Sequence, residues 1–165
     1  MRSNEKSALN YDLKVSGKSY SQSSKGGVAS VVVEEHVDMI GMLVMRVSAS
    51  EDWTYKIGDD VSLKVDKQEV FSGTLTALEP SFSVESGPAL TLRAMDPLYK
   101  LTRGRKTRQF DKMSDSDAVK KVLSDAGLSA SVDSTSPKHE YILQRNESDM
   151  AFVRRLAARN NFMLR

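Results

Sequence analysis

The stretch DVSLKVDKQEVFSGTLTAL, residues 60–78, decides the fold class. Apolar and polar residues alternate from Val61 to Val65, as they do in a strand with one buried face. Asp66-Lys67 then marks a tight turn, and a second strand returns with Gly73 inside it. A glycine inside a strand is typical of a bulge or a close backbone approach. The stretch therefore predicts an antiparallel hairpin in a strongly curved sheet.

Short strands of the same kind are predicted on both sides of this hairpin, up to about residue 98. Apolar residues alternate from Leu9 to Val15 and again from Leu90 to Ala94. The segment VASVVVEE, residues 28–35, is β-branched and continuous, which is typical of a strand covered on both faces. Because consecutive strands with short connections have to hide their edges, we predict an antiparallel β-barrel.

Two helices are predicted after the strands. The pattern changes at Asp96-Pro97, where a cap residue followed by proline begins a helical turn. Ser114 and Asp117 form an approximate capping box, and Gly127 ends the helix that follows. A second amphipathic helix is predicted from about residue 148 to residue 160. The predicted fold class is mainly β with an α+β appendage, an N-terminal antiparallel β-barrel followed by a small two-helix segment.

Composition excludes several classes of protein. The chain has 24 Lys and Arg against 22 Asp and Glu, and a net charge of +2 does not indicate nucleic-acid binding by total charge. No cysteine is present, which excludes disulfides and cysteine-ligated zinc. The longest apolar run, Met39 to Met45, is far shorter than the roughly 20 residues of a membrane-spanning helix. We therefore expect no membrane insertion by this segment.

The sequence offers no recognisable catalytic apparatus. His36 and His139 are the only histidines, and neither belongs to a motif that would activate a hydroxyl or bind a metal. The neighbouring carboxylates Glu34-Glu35 and Asp59-Asp60 point to opposite faces if they lie on strands, so neither pair makes a facing dyad. No nucleophile elbow, P-loop or dinucleotide fingerprint occurs. We expect no catalytic residues, no metal site and no cofactor, so the protein is predicted not to be an enzyme.

The densest positive charge lies in the connection between the strands and the helices. It consists of four cations, Arg103, Arg105, Lys106 and Arg108. A solvated loop is one interpretation, and a protein-docking surface is another, since arginine is enriched at interfaces. Nucleic-acid binding is less favoured, because only Tyr99 and Phe110 are near in sequence as stacking aromatics. The four cations are candidate partner-docking residues.

Several segments together point to one family of proteins. The most specific is QRNESDMAFVRRLAARNNF, residues 144–162, a glutamine followed by Ser-Asp, an aromatic residue and an Arg-Leu helix. KIGDDVSLKV and VFSGTLTALEP match more loosely. In this order the segments resemble the N-terminal part of baseplate hub proteins of contractile injection machines, such as phage late control protein D and the VgrG spikes of type VI secretion. The resemblance is good over residues 55–165 and rests on pattern alone over residues 8–50.

The resemblance implies a structural role. Hub proteins of this family are homotrimers whose barrel domains form a ring, which docks the tail tube and carries a central spike. The implied partners are tail-tube proteins, other baseplate proteins and the spike tip, in a virion tail or injection particle assembled in the bacterial cytoplasm. Family members continue through a second barrel. Residues 1–98 would then be the hub barrel domain, and residues 99–165 the start of a truncated helical α/β domain whose residues 162–164 begin a strand. The alternative is a stand-alone β-barrel module that binds single-stranded nucleic acid through the basic loop.

Overall fold

The computed structural model of the protein describes residues 10–21, 27–48, 53–85 and 87–164. The chain divides into two compact units, each with its own apolar core. Unit 1 comprises Met1–Glu34 and Gly41–Asp96, and unit 2 comprises Glu35–Ile40 and Pro97–Arg165. Within the described ranges, no helix is both long enough and apolar enough to cross a membrane.

Unit 1 is a seven-stranded antiparallel sheet that forms a half-barrel. Its strands are β1 (Tyr11–Val15), β2 (Lys18–Ser21), β3 (Val28–Glu34), β4 (Met42–Ser48), β5 (Asp60–Val65), β6 (Gln68–Ser83) and β7 (Gly87–Met95). Their order across the sheet is β2-β1-β5-β6-β7-β4-β3, so β2 and β3 are its edge strands. The predicted fold class, mainly β with a small two-helix segment, is confirmed.

The core of unit 1 follows from the alternation of the strands. Every second residue points to the inner face of the sheet, and the apolar residues at these positions are buried. Those that are completely inaccessible to solvent are Leu13, Met45, Val47, Leu92 and Ala94. Because each of these strands contributes a short apolar row, the core depends on the pairing register of the sheet.

The environment of β3 differs from the sequence prediction. Its β-branched composition predicts cover on both faces, but Val32 is 49% exposed. Val31 and Val33 pack against the core from the inner side. The prediction was wrong because a continuous apolar run does not specify whether one face of a strand or both faces are covered.

Gly73 lies in β6 where the backbone of β7 comes very close. A Cβ atom at this position would lie 2.2 Å from the carbonyl oxygen of Met95. The pairing of β6 also contains two irregularities, one opposite Leu63 and Lys64 and one between Leu75 and Ala77. Glycine therefore permits the close approach that the sequence pattern indicates.

We predict that Gly73→Ala destabilises unit 1 by about 1–3 kcal/mol, because the added methyl group overlaps a backbone atom that cannot rotate away. Ser72→Ala, at the exposed neighbouring position, is the control and should change the stability by less than about 0.5 kcal/mol. Urea unfolding monitored by circular dichroism measures both. Equal midpoints for the two variants would contradict the close approach.

Unit 2 packs two helices against a two-stranded antiparallel sheet. Its elements are a short 3-10 helix (Pro97–Thr102), β8 (Lys106–Met113), α1 (Asp115–Asp125), β9 (His139–Glu147) and α2 (Asp149–Arg159). The predicted capping box of α1 is confirmed: the Ser114 hydroxyl accepts from the Asp117 backbone N–H, and the Asp117 carboxylate accepts from the Ser114 N–H. The second helix begins after Ser148, whose hydroxyl accepts from the Ala151 N–H at 3.1 Å. Sequence analysis thus located both helices correctly.

An aromatic pair and the apolar stripe of α2 form the core of unit 2. The rings of Phe110 in β8 and Phe152 in α2 stack with their centroids 5.3 Å apart. Val153 and Leu156 on the same helix are almost completely buried. The helix therefore contributes to stability mainly through this stripe.

We predict that Leu156→Asp costs several kcal/mol of stability, because it buries an unpaired carboxylate. Arg154→Ala, on the exposed side of the same helix, is the matched control and should cost less than about 1 kcal/mol. Thermal unfolding distinguishes them. Similar melting temperatures would mean that α2 is not packed on the rest of unit 2.

Residues 162–164 do not form the expected strand. The N–H of Leu164 donates to Asp38 Oδ1 at 2.8 Å, and the Asp38 N–H donates to the Leu164 carbonyl oxygen at 3.1 Å. The N–H of Phe162 donates to the Ala157 carbonyl oxygen at 3.0 Å, and within the described part of the chain no strand pairs with residues 162–164. The expectation that a strand of a longer domain begins at these residues stays a prediction.

Candidate docking surface

The structure divides the four candidate docking cations into two pairs. Lys106 and Arg108 lie in β8 and turn toward a buried carboxylate, that of Asp149. Arg103 and Arg105 lie in the preceding loop and are exposed. The basic segment therefore does not present all of its charge to solvent.

Asp149 is the first residue of α2, and its side chain is almost completely buried. Lys106 Nζ lies 2.6 Å from Asp149 Oδ2, and Arg108 Nη2 lies 2.6 Å from Asp149 Oδ1. Gln144, which is fully buried in β9, donates from Nε2 to the same Oδ1 at 2.9 Å and accepts from Arg108 Nε at 2.6 Å. Position also favours the carboxylate, because the N-terminal end of a helix attracts negative charge. We call these four side chains the Asp149 cluster.

The pKa of Asp149 is lowered from its ordinary value. Burial raises this pKa, but hydrogen bonds from Lys106 and Gln144 and the positive charges of Arg108 and Lys106 outweigh the effect of burial. The carboxylate therefore stays ionised at neutral pH. Because its oxygens already accept bonds from three side chains, the Asp149 carboxylate holds β8, β9 and α2 together.

A second buried carboxylate, Asp115, ties the ends of the two helices to each other. Arg159 Nε donates to its Oδ2 at 2.8 Å, and Asn160 Nδ2 donates to the same oxygen at 2.8 Å. His139 Nε2 lies 3.5 Å from its Oδ1. Burial raises the pKa of Asp115, but the bonds from Arg159 and Asn160 and the charges of Arg159 and His139 bring it below its ordinary value. One of the two histidines thus belongs to an ion cluster.

The most specific sequence motif, residues 144–162, is explained by these contacts. Its glutamine and its aspartate belong to the Asp149 cluster, Ser148 caps α2, and Phe152 fills the core. Arg155 donates to the Leu143 carbonyl oxygen at 2.9 Å and forms an ion pair with Glu147. The motif therefore encodes the packing of unit 2.

Sequence reasoning missed that Lys106 and Arg108 pair with Asp149. One signal could have found part of it. Arg108 and Phe110 are two residues apart on a strand, so they share a face, and the face that contains Phe110 is the buried one. A cation on that face requires a buried partner, and an aspartate at the start of a helix is a suitable one.

Two exposed features of unit 2 remain available for a partner. Arg103 lies over the ring of Tyr99, 5.0 Å from its centroid, and Arg105 Nε donates to the Asn146 carbonyl oxygen at 2.7 Å. On the outer face of β9, Tyr141 and Leu143 are both exposed. Arginine and tyrosine are enriched at protein interfaces, so we consider these residues the candidate docking surface.

The described residues show no arrangement that indicates catalysis. In these ranges no group of three or more His, Asp or Glu side chains could hold a metal ion. Unit 2 contains an apolar cavity of about 150 Å³ between the two helices and residues 130–135 and 162–164. Asp115 reaches this cavity, but its oxygens are occupied by Arg159 and Asn160.

Comparison with known proteins assigns the chain to a family. The model of the Alg8 N-terminal domain matches residues 5–165. The chain belongs to the Alg8 N-terminal domain family. No curated protein sequence matches it.

Solved structures share the fold of this Alg8 N-terminal domain at low sequence identity. A 43 kDa tail protein of prophage MuSo2 from Shewanella oneidensis superposes with a TM-score of 0.68 and 18% identity over 92% of this chain and 48% of that chain. An E. coli type VI secretion component is described as structurally similar to the T4 bacteriophage tail proteins gp27 and gp5. It superposes with a TM-score of 0.65 and 16% identity over 92% of this chain and 47% of that chain. A tail protein of Neisseria meningitidis MC58 superposes with a TM-score of 0.61 and 13% identity over 92% of this chain and 45% of that chain.

These similarities confirm the resemblance to tail hub proteins at the level of the fold. The chain spans about half the length of the solved structures that it matches. The shared fold covers both units of this Alg8 N-terminal domain, since the superposed part includes 92% of the chain.

We predict that the Asp149 cluster makes the stability of this domain depend on pH. The pKa of Asp149 is lower in the folded chain than in the unfolded chain, where an aspartate has a pKa of about 4. Its stabilising contribution is therefore fully present above about pH 4 and is lost as the pH falls through the lower folded value. Asp149→Asn should remove about 2 kcal/mol or more at pH 7 and flatten the loss of stability below pH 4.

Urea unfolding between pH 7 and pH 2 measures this dependence. Asp111→Asn, at an exposed position on β8, is the matched control and should follow the unsubstituted protein closely. Parallel curves for Asp149→Asn and the unsubstituted protein would contradict a role of this carboxylate in acid stability.

Proposed function

We propose that this chain is the hub segment of a contractile injection machine and links the tail tube to the central spike. The observation that carries the proposal is the match of the fold, over 92% of the chain, to phage tail proteins and to a type VI secretion component. The sequence motifs that resemble hub proteins support it independently. The machine would be a phage tail, a type VI system or an extracellular injection particle.

The role that we propose is structural. The buried carboxylates Asp115 and Asp149 are both paired with cations, which suits a rigid building block. Residues 1–98 would form the barrel of the hub and residues 99–165 the beginning of the next domain. Arg103, Arg105 and the outer face of β9 would dock other baseplate proteins or the tail tube. Assembly would take place in the bacterial cytoplasm, and the assembled chain would belong to the virion tail or injection particle.

The Asp149 cluster weighs against the alternative function, a module that binds single-stranded nucleic acid. Such a module needs a positively charged groove with stacking aromatic residues. Lys106 and Arg108 are committed to the Asp149 carboxylate, and Phe110 is buried, so the basic loop keeps only Arg103, Arg105 and Tyr99 for this purpose. The hub is therefore the better supported function.

We predict that the working form is a homotrimer, because several copies have to surround the axis of a tail and identical chains do so with closed rotational symmetry. The test is the native mass of the complex that is purified with an affinity-tagged chain from the producing cells. Three copies per complex are expected. Six copies or a single copy would contradict the trimeric hub.

A further inference from the structure

Unit 2 leaves an apolar space unfilled beside its core. The cavity of about 150 Å³ lies between α1, α2, residues 130–135 and residues 162–164. Its floor consists of four buried aliphatic side chains, Val119, Leu123, Val153 and Leu156. Protein interiors are usually packed as densely as organic crystals, with few voids larger than a water molecule. A space of this size on the apolar faces of two helices is therefore unusual.

The volume and the surface of the cavity suit a small ring. Buried water needs about two to four polar partners to be stable, and the aliphatic floor of this cavity offers none. Engineered apolar cavities of about 150 Å³ in other proteins stay dry and bind benzene or xenon. An apolar molecule of about one aromatic ring therefore fits this space better than water does.

The polar groups that reach the cavity already bond to each other. The Ser116 N–H donates to Thr135 Oγ1 at 2.9 Å, and the Thr135 N–H donates to Ser116 Oγ at 3.2 Å. The Asn160 side-chain amide donates to Asp115 Oδ2 at 2.8 Å. The described residues that line the cavity include two carboxylates, those of Asp115 and Asp133, and no lysine, arginine or histidine. An anionic ligand would lose its hydration here without gaining an ion pair, so the site favours an uncharged one.

One wall of the cavity faces solvent. Phe162 and Met163 line this wall and are 40% and 73% exposed. Main-chain bonds hold the wall at both ends: the Phe162 N–H donates to the Ala157 carbonyl oxygen at 3.0 Å, and the Asp38 N–H donates to the Leu164 carbonyl oxygen at 3.1 Å. A molecule that enters from this side covers apolar area of the wall as well as of the floor.

We propose that this cavity is a binding site for a small, uncharged apolar molecule of about one aromatic ring. The two helices supply a preformed floor, and Phe162 and Met163 supply apolar area that the ligand covers. Burial of apolar surface in a preformed pocket provides affinity without a new hydrogen bond. The ligand binds the folded chain and not the unfolded chain, so it stabilises unit 2. This inference goes beyond the hub function, because the site lies within a single copy of the chain.

An NMR titration of the full chain with benzene tests the site directly. Saturable shifts of the methyl groups of Val119, Val153 and Leu156 are expected, with a Kd of about 1 mM or lower. Benzoate has the same ring and a negative charge, so it should bind at least about tenfold more weakly. Shifts that do not saturate, that avoid these methyl groups, or that are as strong with benzoate would overturn the proposal.

Two adjacent alanines of α2 provide a matched pair of variants. Ala157 lines the cavity, whereas Ala158 is exposed. Ala157→Leu places a larger side chain in the space that the ligand needs, so it should raise the Kd for benzene by at least about tenfold. Ala158→Leu adds the same atoms outside the cavity and should leave this Kd unchanged within about twofold. The same Kd in both variants would overturn the proposal.

The ligand-free variants give a second measurement. Because a filled cavity is better packed, Ala157→Leu should have a higher melting temperature than Ala158→Leu. Circular dichroism verifies that both variants fold. If Ala157→Leu does not fold, the benzene and benzoate titrations of the unsubstituted chain decide the question on their own.

Discussion

An antiparallel sheet has to satisfy its edges as well as its apolar face, and this constraint governs unit 1. The inner face is satisfied within the chain, since Leu13, Met45 and Leu92 are completely buried. Among the described residues the edges are not all paired, because β2 and β3 end the sheet and the second half of β6 extends beyond β5. The core of unit 1 is therefore complete within the chain, whereas several strand edges of its sheet are unpaired among the described residues.

The packing of unit 2 depends on ion pairs with a buried carboxylate. The buried carboxylate of Asp149 would be costly without partners, and Lys106 and Arg108 supply them from β8. The same contacts use up half of the positive charge that makes the connecting loop conspicuous in the sequence. A cluster of cations is thus a poor guide to a binding surface until the carboxylates that face it are known.

Local patterns in the sequence predicted the strands and helices well. The contacts between residues that are far apart in the sequence could not be predicted from these patterns. Alternation identified the strands on either side of Asp66-Lys67, and the spacing of Ser114 and Asp117 identified the start of α1. The order of the strands was not predictable, because a period of two shows that a residue faces the core but not which strand lies beside it. The pairing of Lys106 with Asp149 joins residues 43 positions apart and has no local signature. The exposed edge of β3 was missed for the same reason.

The central claim is that this chain surrounds the axis of an injection machine as part of its hub. A cryo-electron microscopy reconstruction of the particle that contains the tagged chain tests it most directly. The account predicts three copies of the two-unit fold around the axis, between the tail tube and the spike. A particle in which this fold lies away from the axis, or is absent, would contradict it.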